Sequence, residues 1–300
     1  MGTPNVGKCV QFGAGTSSAD HQFEVLWPFD FGKRGRLVES NGLRGTRDRF
    51  STNVNIGPYD VGGLVPMDVR PDTMDFWLYR ILGGAENNDV FVPAETLPTM
   101  VVAVDRGADV ATFAGCKVNT ATFSAQSGED LRLEMDIQGT TESIGDAGSF
   151  PDISNTLSVE QPYIFHHGVL SVGSSSWEFR RFRLVIDNVL ILDRYMNTDH
   201  RTSLPEGDRI VTLQTENPWT SSEKASLYDV GIAGMAGALV FTNGTNVLTA
   251  TFANLKVPVS PPVVQAREQE IMLPLNFVAY SKSGKPSVQF SNVWTAGSGV

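Results

Sequence analysis

Hydrophobic and polar positions alternate along much of this chain, and the alternation predicts strands. Leu131, Leu133, Met135 and Ile137 are separated by Arg132, Glu134, Asp136 and Gln138, the period-two pattern of a strand with one buried face. Ile271, Leu273, Leu275 and Phe277 repeat that pattern late in the chain. Strands are also predicted at Met100–Asp105 and Asp109–Val118, around the tight turn Arg106-Gly107-Ala108. A long hairpin opens around Leu37–Leu43 and returns through Leu64-Val65-Pro66-Met67, with Gly57-Pro58 and Gly62-Gly63 read as turn chemistry. Phe23, Val25, Trp27 and Phe29 alternate as a short strand would. The second half predicts a hairpin of Tyr163–Val172 and Trp177–Val189, then strands at Arg209–Gln214, Ala238–Thr242 and Val247–Val257. Asn243-Gly244 is a strong hairpin-turn signal between the last two.

One stretch breaks the alternation. Pro71-Asp72-Thr73 is a helix start, Met74, Trp77, Leu78 and Ile81 fall at helical spacing, and Gly83-Gly84 is a stop. These four apolar residues are the predicted face of the helix against the core. A shorter helix is predicted near Ser221–Tyr228, behind Pro218. The chain is therefore expected to be mainly β, with a single helix beside each set of strands.

The pattern occurs twice. Thr112–Val118 returns as Thr251–Val257 with five of seven residues identical, and Leu37–Leu43 as Leu184–Leu190 with four of seven. Asp48-Arg49-Phe50 returns as Asp193-Arg194-Tyr195. The offset falls from 147 (184 minus 37) to 139 (251 minus 112), and the shortening is visible: Gly83–Thr99 is replaced by Gly231–Gly237. A repeat of this length is a duplicated domain rather than a solenoid unit. The expected organisation is an arm at 1–36, a domain at 37–140, a linker at 141–161, a second domain at 162–280 and a tail at 281–300. The N-terminal arm is expected to dock on the first domain or on a neighbour. Domains made mostly of strand have open edges, which neighbouring subunits or barrel closure must satisfy. Two similar domains per chain also suit a ring with an even number of equivalent positions.

Composition narrows the function. With 41% apolar and 19% charged residues among 300, the chain reads as globular, and it has no apolar run long enough for a membrane span. No signal peptide is read at its start, so synthesis in the cytoplasm is expected. The net charge of −10 runs against a protein that grips nucleic acid, which needs basic patches to neutralise phosphates. It suits a solvated acidic surface, or one past which a polyanion moves without being held.

The candidate chemical motifs each fail on their own terms. Gly2-Thr3-Pro4-Asn5-Val6-Gly7-Lys8 has phosphate-loop spacing, but Cys9 stands where a hydroxyl should hold magnesium, and no strand precedes it. His166-His167 on a strand would point to opposite faces, without a third ligand nearby. Asp187, Asp193 and Asp199 make no calcium loop, and Asn243-Gly244-Thr245 reads as a turn rather than a glycosylation site. Cys9 and Cys116 give neither a disulfide framework nor metal spacing. No enzyme, cofactor or metal is expected.

The run Glu39-Ser40-Asn41-Gly42-Leu43-Arg44-Gly45-Thr46-Arg47-Asp48-Arg49, its hairpin return and the helix Met74–Leu82 resemble the tail tube proteins of long non-contractile-tailed bacteriophages. The order of elements over residues 37–280 carries the resemblance, as two tandem tube domains. It implies β-sandwiches flanked by a helix, six of which close into a ring with a continuous β-barrel inside. In tandem-domain members three chains make that ring, and rings stack into a tube that passes DNA. The implied partners are other copies of the chain, the tape measure protein, the tail terminator and the distal tail protein, with DNA in transit and no membrane. The hairpin tip implied to reach the next ring is 44–60, with Arg44, Arg47, Asp48 and Arg49. Its counterpart at 194–207 lacks the Gly-Pro. Arg132, Glu134, Asp136 and Gln138 are the lumen candidates, an outer solvated face being the alternative, and Met272, Pro274 and Asn276 are expected at the matching face of the second copy. The alternative is a β-sandwich binding or decoration module of a virion, which would not polymerise.

Overall fold

The computed structural model describes residues 11–40, 51–146, 148–151, 157–173, 175–218, 234–258 and 271–295. The first part of the chain forms β1 (Gln11–Gly15), β2 (His21–Phe23), β3 (Asp30–Glu39), β4 (Val54–Asp68), α1 (Pro71–Leu82), β5 (Val90–Phe91), β6 (Met100–Asp105), β7 (Asp109–Gln126), β8 (Arg132–Gly139) and β9 (Thr141–Asp146). The second forms β10 (Gly168–Val172), β11 (Ser175–Trp177), β12 (Arg181–Asp187), β13 (Ile210–Pro218), β14 (Met235–Asn243), β15 (Asn246–Lys256), β16 (Met272–Tyr280) and β17 (Val288–Val293). The fold is mainly β, a sandwich made twice.

Each sandwich is built on one long strand that serves both sheets. In the first repeat, β7 pairs with β6 and β9 along its N-terminal half and with β8 along its C-terminal half. Gly115, at φ 63°, and a bulge between Val118 and Thr120 bend it from one sheet into the other. The front sheet runs β3-β4-β8-β7 and the back sheet β2-β1-β6-β7-β9. The second repeat copies this: β12-β13-β16-β15 in front and β11-β10-β14-β15-β17 behind. One continuous apolar cluster, from Phe12 through Trp77, Leu133 and Phe277 to Phe290, fills both.

Register identifies the equivalent residues. Lys117 lies opposite Gln138 and Lys256 opposite Val278, which keeps Thr112–Val118 on Thr251–Val257. The other sequence match does not survive in space. Phe31 pairs with Gly63, which pairs with Ile137; Leu184 pairs with Leu213, which pairs with Phe277. Leu184 therefore stands where Phe31 stands, and both are buried. Leu37 and Val38 lie farther along β3, where it has left the sheet, and are exposed. Pairing also matches the β1–β2 hairpin (Phe12 opposite Phe23) to β10–β11 (Leu170 opposite Trp177). It matches β9 on β7 to β17 on β15. Residues 11–36, read from sequence as an arm, thus hold β1, β2 and most of β3; 141–161 holds β9; and 281–295 holds β17.

The helix follows its sequence signals. Pro71 occupies the first turn with Asp72, and Gly83 closes the helix at φ 91°, its N–H donating to the Tyr79 carbonyl at 2.8 Å. Met74, Trp77, Leu78 and Ile81 are buried. Trp77 sits among Phe12, Phe23 and Phe76, with ring centroids 4.8 Å away for Phe23. The turn predicted at Asn243-Gly244 also forms, with Asn243 paired to Asn246 and Gly244 at φ 63°.

Several local expectations change. Of the alternating Phe23–Phe29 stretch only Phe23 is strand, as the last residue of β2; Trp27 is exposed while Phe23 is buried. Gly62-Gly63 is not a turn but lies inside β4. A Cβ on Gly63 would stand 1.7 Å from the Asp30 carbonyl oxygen, so glycine here allows β3 to approach closely. The strand at Asp109–Val118 continues to Gln126, and the one expected from Tyr163 starts at Gly168. Met272 is buried, leaving Pro274 and Asn276 exposed. Cys116 is a core thiol, pushed up to about 12 by burial. The helix near Ser221–Tyr228, the Gly2–Lys8 run and Cys9 lie outside the described residues.

Candidate assembly surfaces

The two repeats are joined edge to edge. Thr120–Gln126 of β7 pairs antiparallel with Arg181–Asp187 of β12. This makes one eight-stranded front sheet, in the order β3-β4-β8-β7-β12-β13-β16-β15. Behind the seam, α1 is held by both repeats. Asn292 donates to the Pro71 carbonyl at 2.8 Å and to Asp75 at 2.7 Å, and the Trp294 indole donates to Asp75 at 2.9 Å. Burial raises the Asp75 pKa despite those two donors. The helix C-terminus is also satisfied from the second repeat. Asn188 donates to the Ile81 carbonyl, and Arg209 donates to those of Leu82 and Ala94. The strap β5 then crosses to β17, with Phe91 opposite Phe290.

The loop between β12 and β13 folds back onto the first repeat. Arg201, 5% exposed, donates to the Leu192 and Val61 carbonyls and to Gln138, and pairs with Asp60 at 2.8 Å. Asp60 also accepts from Tyr195 and from Arg36. Burial works against its charge, but the Tyr195 and Arg36 hydrogen bonds and the Arg201 and Arg36 charges hold its pKa below the ordinary value. Glu206 is alike: burial opposes ionisation, while the Lys117 ammonium at 2.7 Å and the Leu97 N–H keep its pKa low. Leu97, Leu190 and Leu204 close a small apolar cluster beneath.

The corresponding hairpin of the first repeat does the opposite. β4 pairs with β8 only over Val61–Asp68; nearer the tip, Val54–Asp60 pairs with β3 alone among the described strands. The result is a two-stranded ribbon running off the sheet. Leu37 and Ile56 face each other on it and are 73% and 90% exposed, with Val38 beside them. Leu37 and Ile56 thus form an apolar cross-strand pair open to water.

The polar face of the front sheet forms rows across the strands. Arg132, Ser124, Arg183, Gln214 and Asn276 make one; Glu134, Thr122, Val185, Thr212 and Val278 the next; Asp136, Thr120, Asp187 and Ile210 a third. Leu131, Leu133, Met135 and Ile137 are buried on the other side. Asp136 accepts from Asn119 at 2.8 Å and from Gln138 at 2.6 Å. On this face Asp30, Asp60, Asp68, Glu134 and Asp136 outnumber Arg34, Lys117 and Arg132 in the first repeat, while Arg181, Arg183 and Lys256 outnumber Asp187 and Glu216 in the second. An open depression of about 610 Å³ straddles the seam, lined by Gln126, Arg181, Arg183, Glu216 and Asn276.

The structure groups the sequence candidates only in part. Met74, Trp77, Leu78 and Ile81 share the helix face, and Arg132, Glu134, Asp136 and Gln138 share the polar face of β8. Arg44, Arg47, Asp48 and Arg49 lie outside the described residues. His166-His167 sits in a 3-10 turn instead of a strand, the two rings 4.7 Å apart. Among the described residues no three His, Cys, Asp or Glu side chains are placed to hold a metal ion. No helix there is long and apolar enough to cross a membrane. Asn188, Arg201 and Arg209 escaped sequence reading: Asn188 and Arg209 fall at the ends of predicted strands and Arg201 in a predicted loop, places where a polar residue carries no mark of burial.

Fold and surfaces together define a class: a duplicated β-sandwich whose notable features are strand edges, a shared sheet and an apolar ribbon. The family model for phage tail tube proteins matches residues 3–279, and the chain belongs to that family. It is thus a structural component of a phage tail. No curated protein matches it.

Proposed function

We propose that three copies of this chain close into a ring of six sandwich repeats, and that rings stack into the tube conducting DNA from capsid to host, in a phage with a long non-contractile tail. The single observation that carries this reading is the β7–β12 seam, at which one repeat already continues the sheet of the next. A chain that joins its own repeats this way holds the instruction for joining copies. The edge available is on β3, which among the described strands pairs only with β4. By register, Asp30–Arg34 of β3 stands for Arg183–Asp187 of β12, the stretch that β7 covers inside the chain.

In this reading the polar face of the front sheet is the lumen. Its rows of mixed and nearly balanced charge lack the dense basic surface that would retain a phosphate backbone. The Leu37–Ile56 ribbon supplies the contact between stacked rings. Tube ends meet the tail terminator and the distal tail protein, the tape measure protein occupies the lumen before DNA does, and assembly takes place in the host cytoplasm. Electron microscopy of concentrated protein, with native mass measurement, tests the reading. Rings of three chains and tubes are expected. A particle that stays monomeric at high concentration would support the binding-module alternative instead.

A further inference from the structure

The two repeats are covered unequally. β17 is roofed by the first repeat of its own chain: Phe290 lies opposite Phe91 of β5, and its ring is 5.4 Å from that of Phe123 on β7. The Asn292 N–H donates to the Asp89 carbonyl at 2.9 Å, closing the strap. The register counterpart of β17 is β9, where Ile144 lies opposite Ala111 as Phe290 lies opposite Ala250. Among the described residues β9 pairs with β7 alone. Phe290 is 2% exposed and Ile144 is 63% exposed.

We propose that the outer edge of β9, centred on Ile144, is the seat for the second repeat of another copy of this chain. The inference rests on the ring reading and adds the place of contact behind the sheet. The occupant follows from the internal seam. What covers β17 is the side of a repeat that bears the C-terminal half of its long strand, and in the first repeat that side is already used. In the second repeat the equivalent side, at the C-terminal end of β15, pairs only within its own repeat among the described strands, so the second repeat of another copy is the occupant.

The exposed charge of Asp146 guards the rest of the edge against unrelated strands.

Sedimentation of the full chain, Ile144→Arg and Ile144→Val tests this. Wild type and Ile144→Val should form the three-chain ring at the same concentration. Ile144→Arg should need at least about tenfold more protein, with an unchanged melting point because the site is exposed in the single chain. If Ile144→Arg trimerises like wild type, the seat on β9 is wrong and the ring reading stands. If the wild type forms no trimer, the ring reading itself fails. If Ile144→Arg fails to fold, the Ile144→Ser variant asks the same question with a smaller change.

Discussion

The hairpin of the first repeat and the loop of the second leave equivalent strands and meet opposite fates. The second lies on its neighbour repeat, tied by Arg201 to Asp60, Val61 and Gln138 and by Glu206 to Lys117. The first runs into solvent with Leu37 and Ile56 bare. Duplication made two copies of one device; one became an internal clamp and the other remained available to outside partners. The difference teaches how a repeat protein divides labour. Where one chain supplies both sides of a seam, a polar network can be largely buried and hydrogen-bonded. Where the partner is another molecule, the surface must stay soluble until it arrives.

Four substitutions or conditions probe that division, ranked by their effect on the single chain. Trp77→Ala comes first, because α1 is shared by both repeats. Losing a fully buried indole among Phe12, Phe23 and Phe76 should cost roughly 3–5 kcal/mol in urea unfolding. A loss below about 1 kcal/mol would mean that the helix is not the keystone of the seam.

Arg201→Ala should rank second. It leaves the Val61 carbonyl and Gln138 without their donor, at about 2 kcal/mol. Asp60 keeps Tyr195 and Arg36, which limits the damage. Hydrogen exchange should show the 190–207 stretch opening while β8 and β16 stay protected. Uniform loss of protection would show that the clamp and the core are one cooperative unit.

How much of this was legible in the sequence depended on local contrast. The helix was marked by Pro71, Gly83 and four apolar residues at helical spacing, and β8 and β16 by strict alternation. β9 was not: Thr141-Glu142-Ser143-Ile144-Gly145-Asp146 has a single large apolar residue, because its far side has no cover within the chain. β1 reads as Gln-Phe-Gly-Ala-Gly, small residues that are buried by close approach and show no pattern. The C-terminal half of β7 was hidden by alanines and threonines at the seam. The four-of-seven match of Leu37 to Leu184 misled because short strand patterns recur by composition, and only pairing register separates them. For the assembly surfaces, the resemblance pointed to the hairpin, but the charged tip drew notice away from Leu37 and Ile56.

Acid should loosen the clamp modestly. Asp60 and Glu206 both have folded pKa values below their ordinary ones. The sign follows: their contribution is complete above the unfolded values of about 4 and is lost as pH falls through the folded values. Between about pH 5 and 8 the two carboxyls should leave stability flat, and below about pH 4 the 190–207 stretch should exchange faster. An Asp60→Asn, Glu206→Gln double variant should remove that acid-dependent part. If wild type and double variant respond identically to acid, other carboxylates hold the loop.

The smallest effect on the single chain should come from the region most exposed to partners. Leu37→Asp with Ile56→Asp alters side chains that touch little in the isolated molecule, so stability should move by no more than about 0.5 kcal/mol. Like charges placed opposite each other on the ribbon would make some of that change unfavourable. Ring formation, if it runs through β3 near Asp30 and the edge of β9 as proposed, should persist. Stacking should not, because two carboxylates would have to be desolvated where an apolar pair had been. Electron micrographs should then show single rings in place of tubes. Tubes of normal length from the double variant would remove the ribbon from the stacking interface. A loss of stability comparable to that of Arg201→Ala would show that the ribbon is packed within the chain after all, and would erase the contrast between the two hairpins.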